Sequence, residues 1–155
     1  MLELKPMTDQ DYEFWSLRSR MNYAQSKMKA NGTPRDEAVK AANAEFERHL
    51  TAGRETKDNF LYSGFSDDVR VGFVWIQLRG IGSRRRAYVC DIVVEPDQRG
   101  KGFGKQIMLA VEKLMPDLGV SKIGLHVFGY NEAAIALYKS LGYITTDLEM
   151  EKTLD

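Results

Sequence analysis

The stretch Gln98-Arg99-Gly100-Lys101-Gly102-Phe103-Gly104-Lys105 joins an apolar, strand-like run to a run with helical periodicity, and it decides the fold. Its glycines let the backbone approach a ligand without Cβ obstruction, and the helix that follows presents unpaired N–H groups and a partial positive charge. Arg99, Lys101 and Lys105 add positive side chains at the same place. The stretch therefore predicts a phosphate-binding loop, and a pyrophosphate fits this description.

Two known phosphate-binding loops do not fit the spacing. A P-loop needs Ser or Thr directly after its Gly-Lys pair, whereas Gly104-Lys105 precedes Gln106. A dinucleotide fingerprint needs its third glycine three positions after the second, whereas Gly100, Gly102 and Gly104 are evenly spaced by two. The remaining alternative is a flexible strand-to-helix connection whose basic residues are merely solvated.

The elements around this loop predict an α+β fold with a mixed sheet. Residues 87–94 are apolar nearly throughout, which indicates a central strand covered on both faces. The remaining patterns predict a strand at 2–5, helices starting at Thr8 and Thr33, a hairpin over 59–78, a helix over 103–114, a strand at 122–128, a helix at 131–141 and a final strand or hairpin at 143–154. Residues 1–155 are predicted to form a single domain.

The two N-terminal helices are each predicted to bury an apolar stripe. The stripes are Phe14, Leu17, Met21, Ala24 and Met28 in the first helix, and Val39, Ala42, Phe46 and Leu50 in the second. Thr8 and Thr33 are the predicted N-caps, and Asn31-Gly32 is the predicted end of the first helix.

Composition excludes several classes of function. The 22 Lys and Arg residues balance 22 Asp and Glu residues, so neither nucleic acid nor an anionic membrane is an expected partner. No run of about 18 apolar residues and no leader-like N-terminus occur, which predicts a soluble, cytoplasmic protein. The single cysteine, Cys90, excludes an internal disulfide and a multi-cysteine metal site, and no metal is expected.

Two segments resemble the GNAT superfamily of acetyl-CoA-dependent N-acetyltransferases. Arg99-x-x-Gly102-x-Gly104 after a strand is similar to that family's acetyl-CoA loop. Residues 131–143 resemble its Asn-x-x-Ala-x-x-Leu-Tyr-x-x-x-Gly-aromatic helix. The motifs occur in the family's order and cover about Tyr88 to Tyr143. The first 60 or so residues match in pattern only, and they look similar to uncharacterised bacterial members.

The resemblance implies a mostly antiparallel sheet that is flanked by helices and splayed at the central strand. It also implies that acetyl-CoA binds along this strand, whose backbone N–H groups stabilise the oxyanion of the reaction. The implied cofactor-binding residues are Ile92, Val93, Val94, Arg99, Gly100, Lys101, Gly102, Phe103, Gly104, Lys105, Asn131, Ala134 and Tyr138. Residues 1–58 would form the acceptor side, and residues 59–155 the sheet core with the acetyl-CoA site.

Three side chains are candidates for the chemistry. The resemblance places the phenol of Tyr138 near the thioester sulfur, where it would protonate the departing thiolate; the alternative is that Tyr138 only packs on its helix face. Asp91 is a carboxylate inside an apolar strand, so it either serves the acceptor amine or is satisfied structurally. Glu95, beside Pro96 at the strand end, is the alternative base.

Other conspicuous residues are interpreted as structural. His126 is predicted to pack between sheet and helix, with a general base as the alternative, and Cys90 is predicted to be a small buried side chain. His49 is expected to be a helix-end cation or solvated. The run Arg84-Arg85-Arg86 is interpreted as a solvated loop. Four aromatic residues line either an amine pocket or the core: Tyr12, Trp15, Tyr23 and Trp75.

The predicted function is direct transfer of an acetyl group from acetyl-CoA, the cosubstrate, to a primary amine of a small molecule or protein through a ternary complex. A noncatalytic acetyl-CoA-binding module is the alternative. A nucleotide phosphate-binding protein is a third reading, disfavoured by the two loop patterns that fail. The acceptor, the acyl chain and the oligomeric state, a homodimer included, stay open.

Overall fold

A computed structural model describes all 155 residues and contains one five-stranded sheet. The strands are β1 (Leu2–Pro6), β2 (Asn59–Ser66), β3 (Val69–Arg79), β4 (Arg86–Val94) and β5 (Ile123–Leu125), and they lie side by side in that order. The first four strands are antiparallel, and β5 runs parallel to β4. The helices are α1 (Asp9–Asn31), α2 (Arg35–His49), α3 (Phe103–Leu114) and α4 (Glu132–Ser140). The predicted α+β class with a mixed, mostly antiparallel sheet is confirmed.

Helices cover both faces of the sheet, and a hydrophobic core lies on each face, with side chains of β3 in both. Phe73 and Trp75 of β3 join the cluster on the side of α1 and α2, together with Trp15 and Phe46. The alternate residues Val74, Ile76 and Leu78 pack on the other side against α3 and α4. The strand buried on both faces is therefore β3, whereas the prediction assigned that place to the neighbouring strand, β4. The second half of β4 is only partly covered because it borders the cleft described below.

Helix α1 buries a different face from the predicted stripe. Phe14 and Leu17 are exposed, at 45% and 65% of their surface, and the buried residues are Trp15, Ser16, Ser19 and Ala24. Of the predicted stripe, only Ala24 is fully buried. The physical reason is that α1 buries the indole of Trp15 against Phe46 and Trp75, and that Trp15 and Ser19 also donate hydrogen bonds to the sheet.

The boundaries near the N-terminal helices follow the predictions in part. Thr8 caps α1 by accepting a hydrogen bond from the N–H of Asp11, and Gly32 ends the helix in the left-handed conformation, as predicted. Thr33 is not the cap of α2, because Pro34 occupies that position and no side chain bonds the first N–H groups.

Two predicted strands near the C-terminus differ in the structure. The strand predicted at 122–128 is limited to Ile123–Leu125, and the strand or hairpin predicted at 143–154 is absent. Ile144, Leu148, Met150 and Leu154 are each at least 80% exposed. Alternating apolar residues form a strand only when another strand pairs with their backbone, and no strand of this chain does so. None of the four helices combines the length and the apolar composition that a membrane-spanning helix requires.

Candidate active site

The site begins at the part of β4 that is no longer paired with β5. Pairing between β4 and β5 covers only Ala87, Tyr88 and Val89, so the edge of β4 from Cys90 to Val94 has no strand beside it. This gap is the predicted splay of the sheet. Backbone donors on such an edge are free to bind a ligand as an added strand would.

A β-bulge decides which backbone groups of β4 face the gap. Trp75 pairs with Asp91 while its neighbour Ile76 pairs with Val89, so Cys90 is an extra residue in β4. The extra residue shifts the alternation of backbone groups by one position. The N–H of Glu95 donates to β3, so the N–H groups of Ile92 and Val94 point toward the gap.

Val93 is turned the other way from its two neighbours. Its N–H points toward β3, and its side chain packs against the cluster around Trp15 and Phe73. The carbonyl of Val94 lies on the gap side, where it accepts a hydrogen bond of 3.2 Å from Nε of Arg99. Arg99 therefore ties the glycine loop to the open edge of β4.

The start of α3 lies at the same edge. Gly102 adopts φ 82° as the N-cap, a conformation that favours glycine, and no side chain caps the helix. The N–H groups of Phe103, Gly104 and Lys105 consequently have no acceptor in the protein. A Cβ on Gly104 would lie 3.4 Å from Leu137 of α4 and 3.8 Å from Val94, so the helix start adjoins both elements.

The three basic residues of the loop are all exposed, but they differ in what they contact. Arg99 bonds the β4 carbonyl described above, and Nζ of Lys101 donates to Gln98 at 3.2 Å. Lys105 has no side-chain partner. Gly100 is also left-handed, at φ 77°, and its Cβ position is open. Together with the free N–H groups, the loop is suited to an anion.

Helix α4 brings Asn131, Ala134 and Tyr138 to the other side of the gap. Asn131 caps the helix, since its Oδ1 accepts the N–H of Ala134 at 3.2 Å. Tyr138 is 9% exposed and borders the cleft, and its hydroxyl has no hydrogen-bond partner within the chain. Burial, and secondarily the charge of Asp91, raise the pKa of Tyr138, so its phenol keeps its proton at neutral pH.

Asp91 lies in the floor of the cleft beside the bulge. Trp15 donates to its Oδ2 through Nε1 at 2.8 Å, and the hydroxyl of Ser19 donates to the same oxygen at 2.8 Å. Burial raises the pKa of Asp91 above its ordinary value, although these two bonds oppose the shift. The carboxylate thus anchors α1 to β4, and its raised pKa suits a proton acceptor.

Glu95 is not in the cleft. Its carboxylate forms a two-point ion pair with Arg18 of α1, with both N–O distances at 3.0 Å, and Nε of Arg70 lies 3.8 Å away. Only 14% of the Glu95 side chain is exposed. This pairing occupies both oxygens of Glu95 and connects the end of β4 to α1.

The cleft has a volume of about 750 Å³ and is bordered by both N-terminal helices, β4 and the segment from β5 to α4. His126 is exposed within it, so the predicted packing between sheet and helix is wrong; the reason is that β5 ends at Leu125. Cys90 also borders the cleft, and burial raises the pKa of its thiol to about 12. The thiol is therefore protonated and a poor nucleophile.

Several cleft residues carry no signal in the sequence. Glu45, Arg79 and Tyr88 lie on three different elements and match no motif, so only the tertiary structure brings them together. Of the four aromatic candidates, Tyr23 and Trp75 border the cleft, whereas Trp15 and Tyr12 are in or against the core. Arg85 of the predicted solvated run forms an ion pair with Asp58 at 2.7 Å.

We expect Asp91→Asn to gain stability over the wild type as pH rises. Because the pKa of Asp91 is raised on folding, the protonated carboxyl stabilises the folded state more than the carboxylate does. The wild type has all of this stability below the ordinary pKa of about 3.9 and loses it as pH rises through the folded-state pKa. The amide in the Asp91→Asn variant is neutral at every pH, so the variant does not lose this stability. The melting temperature of the variant should therefore rise relative to that of the wild type as pH increases through this range. Melting curves from about pH 3.5 to 9, with the exposed Asp97→Asn as control, measure this difference. A difference between variant and wild type that stays constant over the whole range would contradict the prediction.

Comparison with known proteins identifies the family. Residues 21–143 match the acetyltransferase (GNAT) family. The chain is 30% identical to the uncharacterised N-acetyltransferase YycN of Bacillus subtilis over 152 residues, which is 97% of each chain. The crystal structure of YycN matches with a TM-score of 0.94 at 29% identity, and 99% of both chains is covered.

Two other proteins are similar over a shorter stretch or in fold alone. The thialysine N-epsilon-acetyltransferase of Bos taurus is 41% identical over 58 residues, covering 37% of this chain and 34% of its own. The aminoglycoside N-acetyltransferase AAC(6')-Iy, solved in complex with CoA, has a TM-score of 0.63 at 18% identity and covers 99% of this chain and 95% of its own. With the family match extending over residues 21–143, the chain belongs to the GNAT family of acetyltransferases and is an acyltransferase.

Proposed function

We propose that this chain transfers an acetyl group from acetyl-CoA to a primary amine, with both substrates bound at once. One observation carries the proposal: the unpaired edge of β4 and the unpaired N–H groups of α3 adjoin each other, since a Cβ on Gly104 would lie 3.8 Å from Val94. A thioester with an amide-containing arm and a pyrophosphate matches that combination, because the arm can pair with a strand edge and the pyrophosphate with a helix start.

In this proposal the open N–H groups of Ile92 and Val94 bind the cofactor's amide arm and the oxyanion. The loop from Arg99 to Lys105 holds the pyrophosphate, and Asn131 and Ala134 bind along the start of α4. Acetyl-CoA supplies the activated acetyl group when bound. Val93 supports the edge by packing beneath it.

Asp91 and Tyr138 divide the proton transfers. The amine nitrogen forms a bond to the acetyl carbon, and the carbon–sulfur bond breaks. Asp91, directly or through water, takes the proton that the amine loses, and its raised pKa favours this role. Tyr138 gives its hydroxyl proton to the departing thiolate and regains one from solvent. Glu95 is the weaker candidate for the base because Arg18 occupies its carboxylate.

Residues 1–58 are proposed as the acceptor side of a single domain, which the contribution of α1 and α2 to the cleft supports. The names of the related proteins place the acetyl group on nitrogen, in thialysine for one and in an aminoglycoside for another. A small-molecule or protein amine is therefore the proposed acceptor. The cytoplasmic location and a homodimer stay predictions.

The test combines cofactor binding with a panel of primary amines. Acetyl-CoA alone should bind in a calorimeter, and at about 100 times its Kd it should stabilise the fold by about 2.7 kcal/mol. Each accepted amine should then be converted to its acetylated product, detected by mass, while acetyl-CoA is converted to CoA with a free thiol. Binding without transfer to any amine would favour the noncatalytic module, and displacement of acetyl-CoA by ATP would favour a nucleotide site. Absence of acetyl-CoA binding would overturn the proposal.

A further inference from the structure

The part of the cleft beside α1, α2 and the start of β4 has an unexpected charge for an amine site. Three cationic side chains border it, Lys27, Arg48 and Arg79, against two carboxylates, Glu45 and Asp91. Protonated amines are attracted to surplus negative charge, and this surface has a surplus of positive charge. An acceptor that carries only an amine would not be matched to it.

The negative charge of Glu45 is already satisfied within the protein. One of its oxygens pairs with Arg48, and the other lies 3.0 Å from Nε2 of His49. Gln77 donates its amide N–H to Nδ1 of His49 at 3.3 Å, which assigns the His49 proton to Nε2, directed at Glu45. Burial alone would raise the pKa of Glu45, but these partners lower it. Glu45 is therefore an ionised carboxylate with both oxygens occupied.

Arg79 differs from Glu45 because its charge has no oppositely charged partner, although its guanidinium is held in place. It stacks on the ring of Tyr88, with Cζ 3.8 Å from the centroid, and its Nε donates to Oε1 of Gln77 at 2.7 Å. A terminal nitrogen lies 4.0 Å from Sγ of Cys90, the bulge residue next to Asp91. The fork is thus pre-oriented toward the reactive end of the acceptor side.

Lys27 faces the same space from α1. Its Nζ lies 5.5 Å from the ring centroid of Tyr23, and it forms no ion pair. The chain thus offers two cations without acidic partners, one on each side of the cleft. Glu45 cannot neutralise either one, because its oxygens are occupied.

The position of Arg79 separates it from the cofactor loop. Arg79 pairs with Arg86 at the start of β4, whereas the loop follows the end of β4 at Val94. A strand rises about 3.3 Å per residue, so the two ends of β4 are about 26 Å apart, and Cys90, which the guanidinium of Arg79 approaches, is still about 13 Å from Val94. The charge of Arg79 is therefore not needed for a pyrophosphate at the glycine loop.

We propose that the acceptor carries a carboxylate as well as its amine, and that Arg79, assisted by Lys27, binds this carboxylate. The substrate class is an amino acid or a similar small zwitterion. This inference rests on the proposed transferase function, and it adds the chemical group by which the acceptor is selected. The two-point geometry of a guanidinium suits a carboxylate better than a neutral amide.

The experiment compares each of a set of amino acids with its own carboxamide, which has nearly the same shape and lacks the negative charge. For the wild type we expect kcat/KM to be at least about tenfold higher for the acid, the value of one charge-assisted hydrogen bond. Arg79→Gln should reduce this ratio toward one and leave the KM for acetyl-CoA unchanged. Arg84→Gln is the matched control, because it removes the same charge from an exposed turn outside the cleft.

A second measurement does not depend on turnover. N-acetylated amino acids and their amides are titrated into the protein with CoA bound, and only the acids should bind in an Arg79-dependent way. If amides and acids react and bind equally, the inference of a carboxylate-binding site is wrong, but the proposed transferase function is still supported. If no amine reacts but the acids bind through Arg79, the transferase function fails and the site stands. A change confined to the KM for acetyl-CoA in Arg79→Gln, or no binding of the acids, would overturn the inference.

Discussion

Gly102→Asp is expected to weaken acetyl-CoA binding by at least about 100-fold while the protein stays folded. The Cβ position of Gly102 has no atom within 4 Å, so the new side chain has room on the protein side. Its carboxylate would stand at the start of α3, in the space proposed for the pyrophosphate. Like charges in a binding site cost several kcal/mol, and each 1.4 kcal/mol is a factor of ten in affinity. Calorimetric titration measures the loss directly.

The control for this variant is Gly82→Asp. Gly82 also has a positive φ, 57°, and open space at its Cβ position, but it lies in the connection between β3 and β4. Both substitutions carry a similar backbone cost, of order 1–3 kcal/mol, so their melting temperatures should fall together. Only Gly102→Asp should lose the cofactor. Equal affinities in the two variants would place the pyrophosphate away from α3.

Tyr138→Phe is expected to lower the rate of acetyl transfer by about 10- to 100-fold with acetyl-CoA affinity nearly unchanged. Removal of a general acid typically costs about 10²–10⁴-fold, and because a thiolate is a fairly good leaving group, we expect the low end of that range or somewhat less. The ring of Tyr138 keeps its packing in the variant, and the hydroxyl has no partner within the chain to lose. Single-turnover transfer at saturating amine, followed across pH, measures the chemical step.

Tyr143→Phe is a matched control for Tyr138→Phe. The two rings meet edge to face at 5.8 Å, so both substitutions perturb the same contact. The hydroxyl of Tyr143 is buried without a partner, and burial raises its pKa to about 12. Its removal should leave the rate unchanged and cost no stability. If Tyr138→Phe matches this control at every pH, Tyr138 only packs and the thiolate takes its proton from water.

Local sequence determined the elements whose signals lie in a few adjacent residues. The bounds of α3 and the hairpin from β2 to β3 were both predictable, because turn residues and periodicity act over a few neighbouring residues. The loop and the α4 motif also carried the family resemblance, and the family match confirms it. The residues that determine these elements lie close together in the sequence, so the sequence alone predicts them.

The tertiary structure alone decided which groups face the cleft. The buried face of α1 depends on Asp91, 72 residues beyond Ser19, and the open donors of β4 depend on a bulge that appears only when β3 pairs with it. The guanidinium of Arg79 is oriented by Tyr88 and Gln77 on paired strands. Long-range hydrogen bonds and strand register determine these features. Each of them joins residues that can be any distance apart along the chain, so no repeating pattern in the sequence predicts them.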